Sequence, residues 1–145
     1  MSKTIYFSGA ITGGRDDVPL YRRFVSALEE AGHRVLAGAV ASEGVTSAGE
    51  PVDPRAVFQR DLDWIEQADI VVAEVSTPSH GVGYEIAAAR YRFGTPVICL
   101  WRPSRTRRCS AMLSGDAGIR FIEYTDQTVG EAADRLLVAI AEIRQ

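Results

Sequence analysis

Long apolar runs are missing from this chain. The longest uninterrupted stretches reach about five to seven residues, against the ~18 or more that a membrane-crossing helix needs, so a helical membrane span is excluded. The opening MSKTIYF has neither the extended apolar segment nor the small-residue cleavage site of a secretory leader, and a cytoplasmic protein is expected. Cysteine is scarce. Of the two present, Cys99 lies in an apolar run and Cys109 in an Arg-rich loop, a pair with no metal-ligand spacing and no disulfide framework, so reduced thiols are expected. The GxGxxG of dinucleotide-binding folds and the GKS/T ending of a P-loop are both absent. So are internal repeats and linkers, which leaves one domain over residues 1–145, an ordinary length for a single domain. A net charge of −3 argues against a partner that is a nucleic-acid polymer. One local exception is the cationic loop with Arg102, Arg105, Arg107 and Arg108, which on charge alone suits a solvated loop, a phosphate attractor or a subunit contact.

What the chain does have is alternation. The segments TIYF (4–7), HRVLAGAV (33–40), DIVVAEV (69–75), PVICL (96–100) and RFIEY (120–124) are apolar and rich in β-branched residues, and predict five strands. Between them, residues 19–31, 54–68, 83–93 and 129–143 carry helical spacing. Strand–helix alternation of this kind predicts an α/β, Rossmann-like (flavodoxin-like) three-layer fold with a five-stranded, mostly parallel sheet, because parallel strands need long right-handed crossovers. Asp53-Pro54 reads as an N-cap with proline at the first helical position. Thr128 with Glu131 reads as a capping box, and Gly32 and Gly94 as glycines just past helix ends. The polar stretch from Ala41 to Val52 is expected to be a loop over a site.

Ligands of open α/β sheets bind beyond the carboxyl ends of the strands. Three segments are suited to that edge. SGAITGGRDD follows the first strand and is either a plain turn or a ligand cradle. STPSHGVGYE places Ser79, Gly81 and Gly83 before a helix, where free amides and the dipole suit an anion. Glu85 then falls in the first helical turn, where the dipole favours its ionised form by roughly 0.3–1 kcal/mol. The third is the helix at 54–68, where Phe58, Leu62 and Ile65 form the stripe expected to face the sheet. Asp61 borders that stripe, unlike Asp63 and Glu66; partly buried, its carboxyl would hold a proton unless paired with an arginine or backbone donor. Tyr6 in the first strand either orients a carboxylate or simply packs.

Taken together, YFSGAITGGRDD, DLDWIEQADIVVAEVSTPSHGVGYE and LWRPSRTRRCSAML resemble the 2′-deoxynucleoside 5′-phosphate N-hydrolases of the wider nucleoside 2-deoxyribosyltransferase superfamily, across nearly the whole chain. The resemblance implies a hydrolase that cleaves the N-glycosidic bond of a 2′-deoxynucleoside 5′-monophosphate to free base and 2-deoxyribose 5-phosphate, through a covalent glutamyl-sugar intermediate and without cofactor or metal. It implies Glu85 as nucleophile, Asp61 as the acid assisting base departure, and Tyr6 as the group holding the nucleophile. It further implies Ser79 and Gly81 as the phosphate-binding stretch, Ser110 reaching the phosphate from the other subunit of a homodimer, and Gly9, Ile11 and Gly13 bordering sugar and base. In the related chemistry of retaining glycosidases two carboxyl groups stand ~5–5.5 Å apart and divide the roles of nucleophile and acid.

Where relatives carry a polar group near the base, this chain has Ala39, so base preference is left open. Three other readings compete: a nucleoside 2-deoxyribosyltransferase, a ribonucleotide (CMP-type) N-hydrolase, and a non-catalytic nucleotide-binding module. The serines at 79 and 110, and the lack of an Asn-containing tail after LLVAIAEIRQ, stand against the transferase. Glu85, Asp61 and Tyr6 together stand against the pure binder.

Overall fold

A computed structural model describes residues 1–11, 16–37, 53–103 and 108–144. Five strands, β1 (Thr4–Gly9), β2 (Arg34–Leu36), β3 (Ile70–Glu74), β4 (Val97–Trp101) and β5 (Ile119–Glu123), alternate with helices α1 (Val18–Glu30), α2 (Pro54–Gln67), α3 (His80–Ala87), α4 (Ala111–Ser114) and α5 (Val129–Glu142). Every pairing is parallel, in the order β2-β1-β3-β4-β5, so the sheet expected to be mostly parallel is wholly so among the described residues. Each connection between neighbouring strands contains a helix, which is what a parallel crossover requires.

The layers follow from the period-two alternation of each strand. On β1, Ile5 and Phe7 join Tyr21, Phe24 and Leu28 of α1 and Leu136 and Ile140 of α5 on one face. Tyr6 points to the other face, where Ile65 of α2 and Val82 and Ile86 of α3 close a second cluster with Val71, Ala73 and Cys99. Phe7, Phe24 and Leu28 are fully enclosed, and truncating any of them to alanine would cost about 2–5 kcal/mol. Lys3 ties the start of β1 to the end of α5 by donating to the Ile140 and Ile143 carbonyls at 2.9 and 2.8 Å, where a cation also meets the negative helix end.

The helix ends mostly obey their local signals. Asp53 accepts from the Arg55 amide with Pro54 following it. Gly32 (φ 94°) and Gly94 (φ 65°) take the left-handed conformation that other residues resist. Thr128 departs from the capping box: its hydroxyl accepts from the Thr125 amide at 2.8 Å and caps the preceding turn instead of α5. Phe58 departs as well. Leu62 and Ile65 are buried, but Phe58 is 48% exposed and meets Tyr84 edge-on at 5.9 Å, in the first turns of α2, where no residue from 54 to 60 is buried. Helix α3 continues as a π-helical turn over Ala88–Phe93, and α4, four residues long, is too short for periodicity to announce. The expected loop over 41–52, residues 38–40 of the second predicted strand, Gly13, Arg105 and Arg107 lie outside the described residues.

Candidate active site

Strand order reverses between β1 and β3: the chain first adds β2 on one side of β1, then crosses to the other. Such a switch point opens a crevice beyond the carboxyl ends of the two strands. There Tyr6, Ser8, Gly9 and Ile11 from β1 and its loop face Asp61 and Arg60 of α2 and Glu85 of α3, around a cavity of about 30 Å³. Among the residues that the resemblance assigns to chemistry and sugar, the fold therefore unites Tyr6, Gly9, Ile11, Asp61 and Glu85. Gly9 has a packing reason of its own, since a Cβ there would come within 2.8 Å of the Tyr21 ring.

Glu85 is the centre of this crevice. The Tyr6 hydroxyl donates to its Oε2 and the Ser8 hydroxyl to its Oε1, each at 2.7 Å. Helix α3 begins at His80, with Ser79 as N-cap accepting from the Val82 amide at 3.2 Å, so Glu85 stands in the second turn and not the first. The dipole's pull fades within the first turn, and the expected bias toward an ionised Glu85 gives way to burial. Desolvation pushes this carboxyl up to about 7, against the two hydroxyl donors and with help from the nearby Asp61 charge. Burial and the two carboxylates likewise push the Tyr6 phenol well above its ordinary value, so it stays a donor.

Asp61 has a side chain only 15% exposed, while Asp63 and Glu66 face solvent, as the helical spacing predicts. It does find a cation: the Arg60 guanidinium donates to Oδ1 at 2.9 Å and lies over the Trp64 ring at 4.9 Å. Ser8 and Arg60 were not singled out by sequence spacing. Ser8 was visible in principle, because it stands two residues after Tyr6 and a strand shows both on one face.

A second, larger cavity of about 460 Å³ lies on the other flank of α3, lined by Ser79, His80, Val82 and Gly83 and, from the far side, Arg108, Ser110 and Met112. It is large enough for a small ligand, but it holds none of Tyr6, Asp61 or Glu85. Asp61 and Glu85 line the small crevice; the larger cavity offers the capping serine and the first turn of α3, where helical geometry leaves the His80 and Gly81 amides without an intrahelical acceptor. Ser79 and Ser110 line this one cavity within a single chain. Arg90 also lines it, but Asp116 claims its guanidinium at 3.0 and 2.7 Å and is itself held down to about 2.

Of the cationic loop, Arg102 proves to be structural. Its guanidinium reaches Asp17, Asp126 at 2.8 Å and Glu74 at 3.7 Å. Glu74, fully buried, also accepts from the Tyr124 hydroxyl and from the Ser76 amide and hydroxyl at 2.6 and 2.9 Å. Thr77 donates to Asp17 at 3.0 Å. These bonds fix the turn after β3 just ahead of Ser79.

Residues 5–133 match the nucleoside 2-deoxyribosyltransferase family. The chain is similar to the 5-hydroxymethyl-dUMP N-hydrolase of Rattus norvegicus, 43% identical over 141 residues, covering 94% of this chain and 85% of that one. It is also similar to the 5-hydroxymethyl-dUMP N-hydrolase of Homo sapiens, at 42% over 142 residues and 93% and 79% coverage. In three dimensions it shares the fold of a CMP N-glycosidase from Clostridium botulinum, with a TM-score of 0.67, 19% identity, and coverage of 94% of this chain and 99% of that one. The chain belongs to the nucleoside 2-deoxyribosyltransferase family.

Proposed function

We propose that this chain is a hydrolase that splits the N-glycosidic bond of 2′-deoxynucleoside 5′-monophosphates, releasing free base and 2-deoxyribose 5-phosphate. The observation that carries the reading is the Glu85 carboxylate, held by Tyr6 and Ser8 at 2.7 Å each in a crevice at the strand switch point, with Asp61 beside it. Departure of a base leaves cationic character on the sugar, and a carboxylate beneath the ring stabilises that charge and can capture it. A Glu85 oxygen bonds to C1′ as the C1′–N bond breaks, and the base leaves with the bonding electrons. Asp61, paired with Arg60, assists by relaying from solvent the proton that the base acquires. Water, losing a proton to Asp61, then attacks C1′ and displaces Glu85. The sum consumes one water and regenerates both carboxyl groups.

The relatives named for 5-hydroxymethyl-dUMP support a pyrimidine deoxynucleotide, that one included, as the substrate class. Phosphate binding falls to Ser79 and the first amides of α3, with Gly81 keeping the approach open. This remote contact supplies binding energy that holds the sugar in reactive geometry. A homodimer suits the same surface: in a two-fold interface each residue meets its counterpart's neighbours. Ser79 and Ser110 share one cavity, and Met112 is 84% exposed on its rim, so a second copy seated there would bring its own Ser110 to this chain's Ser79.

Incubation with a panel of ribo- and deoxynucleoside monophosphates, with free base and sugar phosphate separated by chromatography, tests the proposal. Base release from at least one deoxynucleotide without added acceptor base is expected. Release that requires an acceptor base and ignores the phosphate would replace hydrolysis with transfer. Light scattering should give a dimer mass; full activity at monomer mass would remove a second copy's Ser110 from the phosphate site.

A further inference from the structure

We infer that Ser8 is a second anchor of the attacking carboxylate, a positioning residue that fixes Glu85 at Oε1 while Tyr6 fixes it at Oε2. The inference rests on Glu85 being the nucleophile. Its basis is the 2.7 Å bond from the Ser8 hydroxyl to Glu85 Oε1, made from a residue only 2% exposed. Among the described residues, that carboxylate is the one side-chain partner of the hydroxyl. A buried strand position next to Phe7 and opposite Ala73 would ordinarily carry an apolar residue. A hydroxyl enclosed there without an acceptor would be costly.

The two anchors differ in length for a geometric reason. Residues 6 and 8 of β1 share a face about 6.6 Å apart along the strand, yet both must meet one carboxylate. Tyr6 spans the distance with its ring, and Ser8, nearer the strand's end, needs only a short stem. A carboxylate bonded at one oxygen can swing about that bond; bonded at both, it has a fixed plane. Each oxygen still has a lone-pair direction left, since an ionised carboxylate offers about four acceptor sites, and a fixed plane aims one of them at the sugar. The same hydroxyl favours the charged form that attacks, opposing the burial that favours the neutral one.

The titratable and charged groups facing Glu85 are Tyr6 on β1 and Asp61 and Arg60 on α2. None of them is altered by a change at Ser8, so the pH profile isolates its effect. Ser8→Ala should move the acid limb of kcat/KM upward by about one pH unit, lower kcat at neutral pH about tenfold, and leave KM little changed. Ser8→Cys, which keeps a weak donor, should fall between wild type and Ser8→Ala. A folded Ser8→Ala protein with the wild-type limb and kcat would overturn the inference. So would equal kcat losses in both variants with an unmoved limb, which would mark Ser8 as packing alone. Glu85→Gln measured alongside separates the two levels: if it stays active, the nucleophile assignment fails; if it is dead while Ser8→Ala is unchanged, only the anchor fails.

Discussion

Glu74 and Glu85 make an instructive pair. Both sit near the carboxyl edge of the sheet, each receives a tyrosine hydroxyl and a serine hydroxyl, and burial raises the carboxyl of each. They lie on opposite faces. Glu74 continues the alternation of Ile70 and Val72 toward α1 and α5, and Glu85 reaches the face that carries Tyr6. Glu74 is sealed, takes a third donor from its own loop, and has the Arg102 cation beside it. Glu85 is half-buried, opens on the crevice, and has a like charge, Asp61, as its neighbour. With Glu85 as the proposed nucleophile, hydrogen-bond donors alone therefore do not distinguish a reactive carboxylate from a structural one. Access, and the sign of the adjacent charge, do.

The widest gap between the two should appear in turnover. Glu85→Gln is expected to reduce base release at least about a thousandfold, whereas Glu74→Gln keeps most of its turnover per folded molecule. Comparable losses in both, measured with the folded fraction known, would erase the distinction. Stability should show the reverse weighting. Arg102→Met leaves Glu74 and Asp17 enclosed without their cation and should cost about 2–4 kcal/mol in urea unfolding, toward the low side for a buried pair because the arginine is 22% exposed.

The next effect is in pH. Because the proposed attack needs ionised Glu85, kcat/KM should fall about tenfold per unit below pH 7, following a carboxyl raised to about 7. Linkage gives the matching stability sign. A carboxyl raised on folding contributes stability that is present below its ordinary value and lost as pH rises through about 7. Glu85→Gln should accordingly melt higher than wild type at pH 8 and no higher at pH 4; a lower melting point at pH 8 would contradict the burial argument. The smallest effect belongs to Tyr124→Phe, which removes one donor from Glu74 and should cost about 1–2 kcal/mol with kcat intact.

Much of the architecture was legible because it depends on period and punctuation. Five strand segments, four long helices, the Asp53 cap and the glycines at 32 and 94 all announce themselves locally. Phe58 and Thr128 did not behave as their spacing suggests, because each depends on where a helix ends relative to the sheet and the adjoining turn. The site divides the same way. Tyr6, Asp61 and Glu85 stand out by motif, and the fold brings them together. The helix start at His80, however, moved Glu85 out of the first turn, and its raised carboxyl follows from enclosure between elements far apart in sequence. Arg102 read as one more surface cation, since no local signal reveals that Asp17, Glu74 and Asp126 converge on it. The Ser8 bond needed Tyr6 and the alternation of β1 to be considered together.

The two thiols of the chain are unequally accessible. Cys99, fully enclosed in β4, has its thiol pushed up to about 12 by burial, while Cys109 is partly open and adjoins Ser110. A maleimide dye should therefore attach at Cys109 alone without mutagenesis, giving a spectroscopic reporter beside the larger cleft.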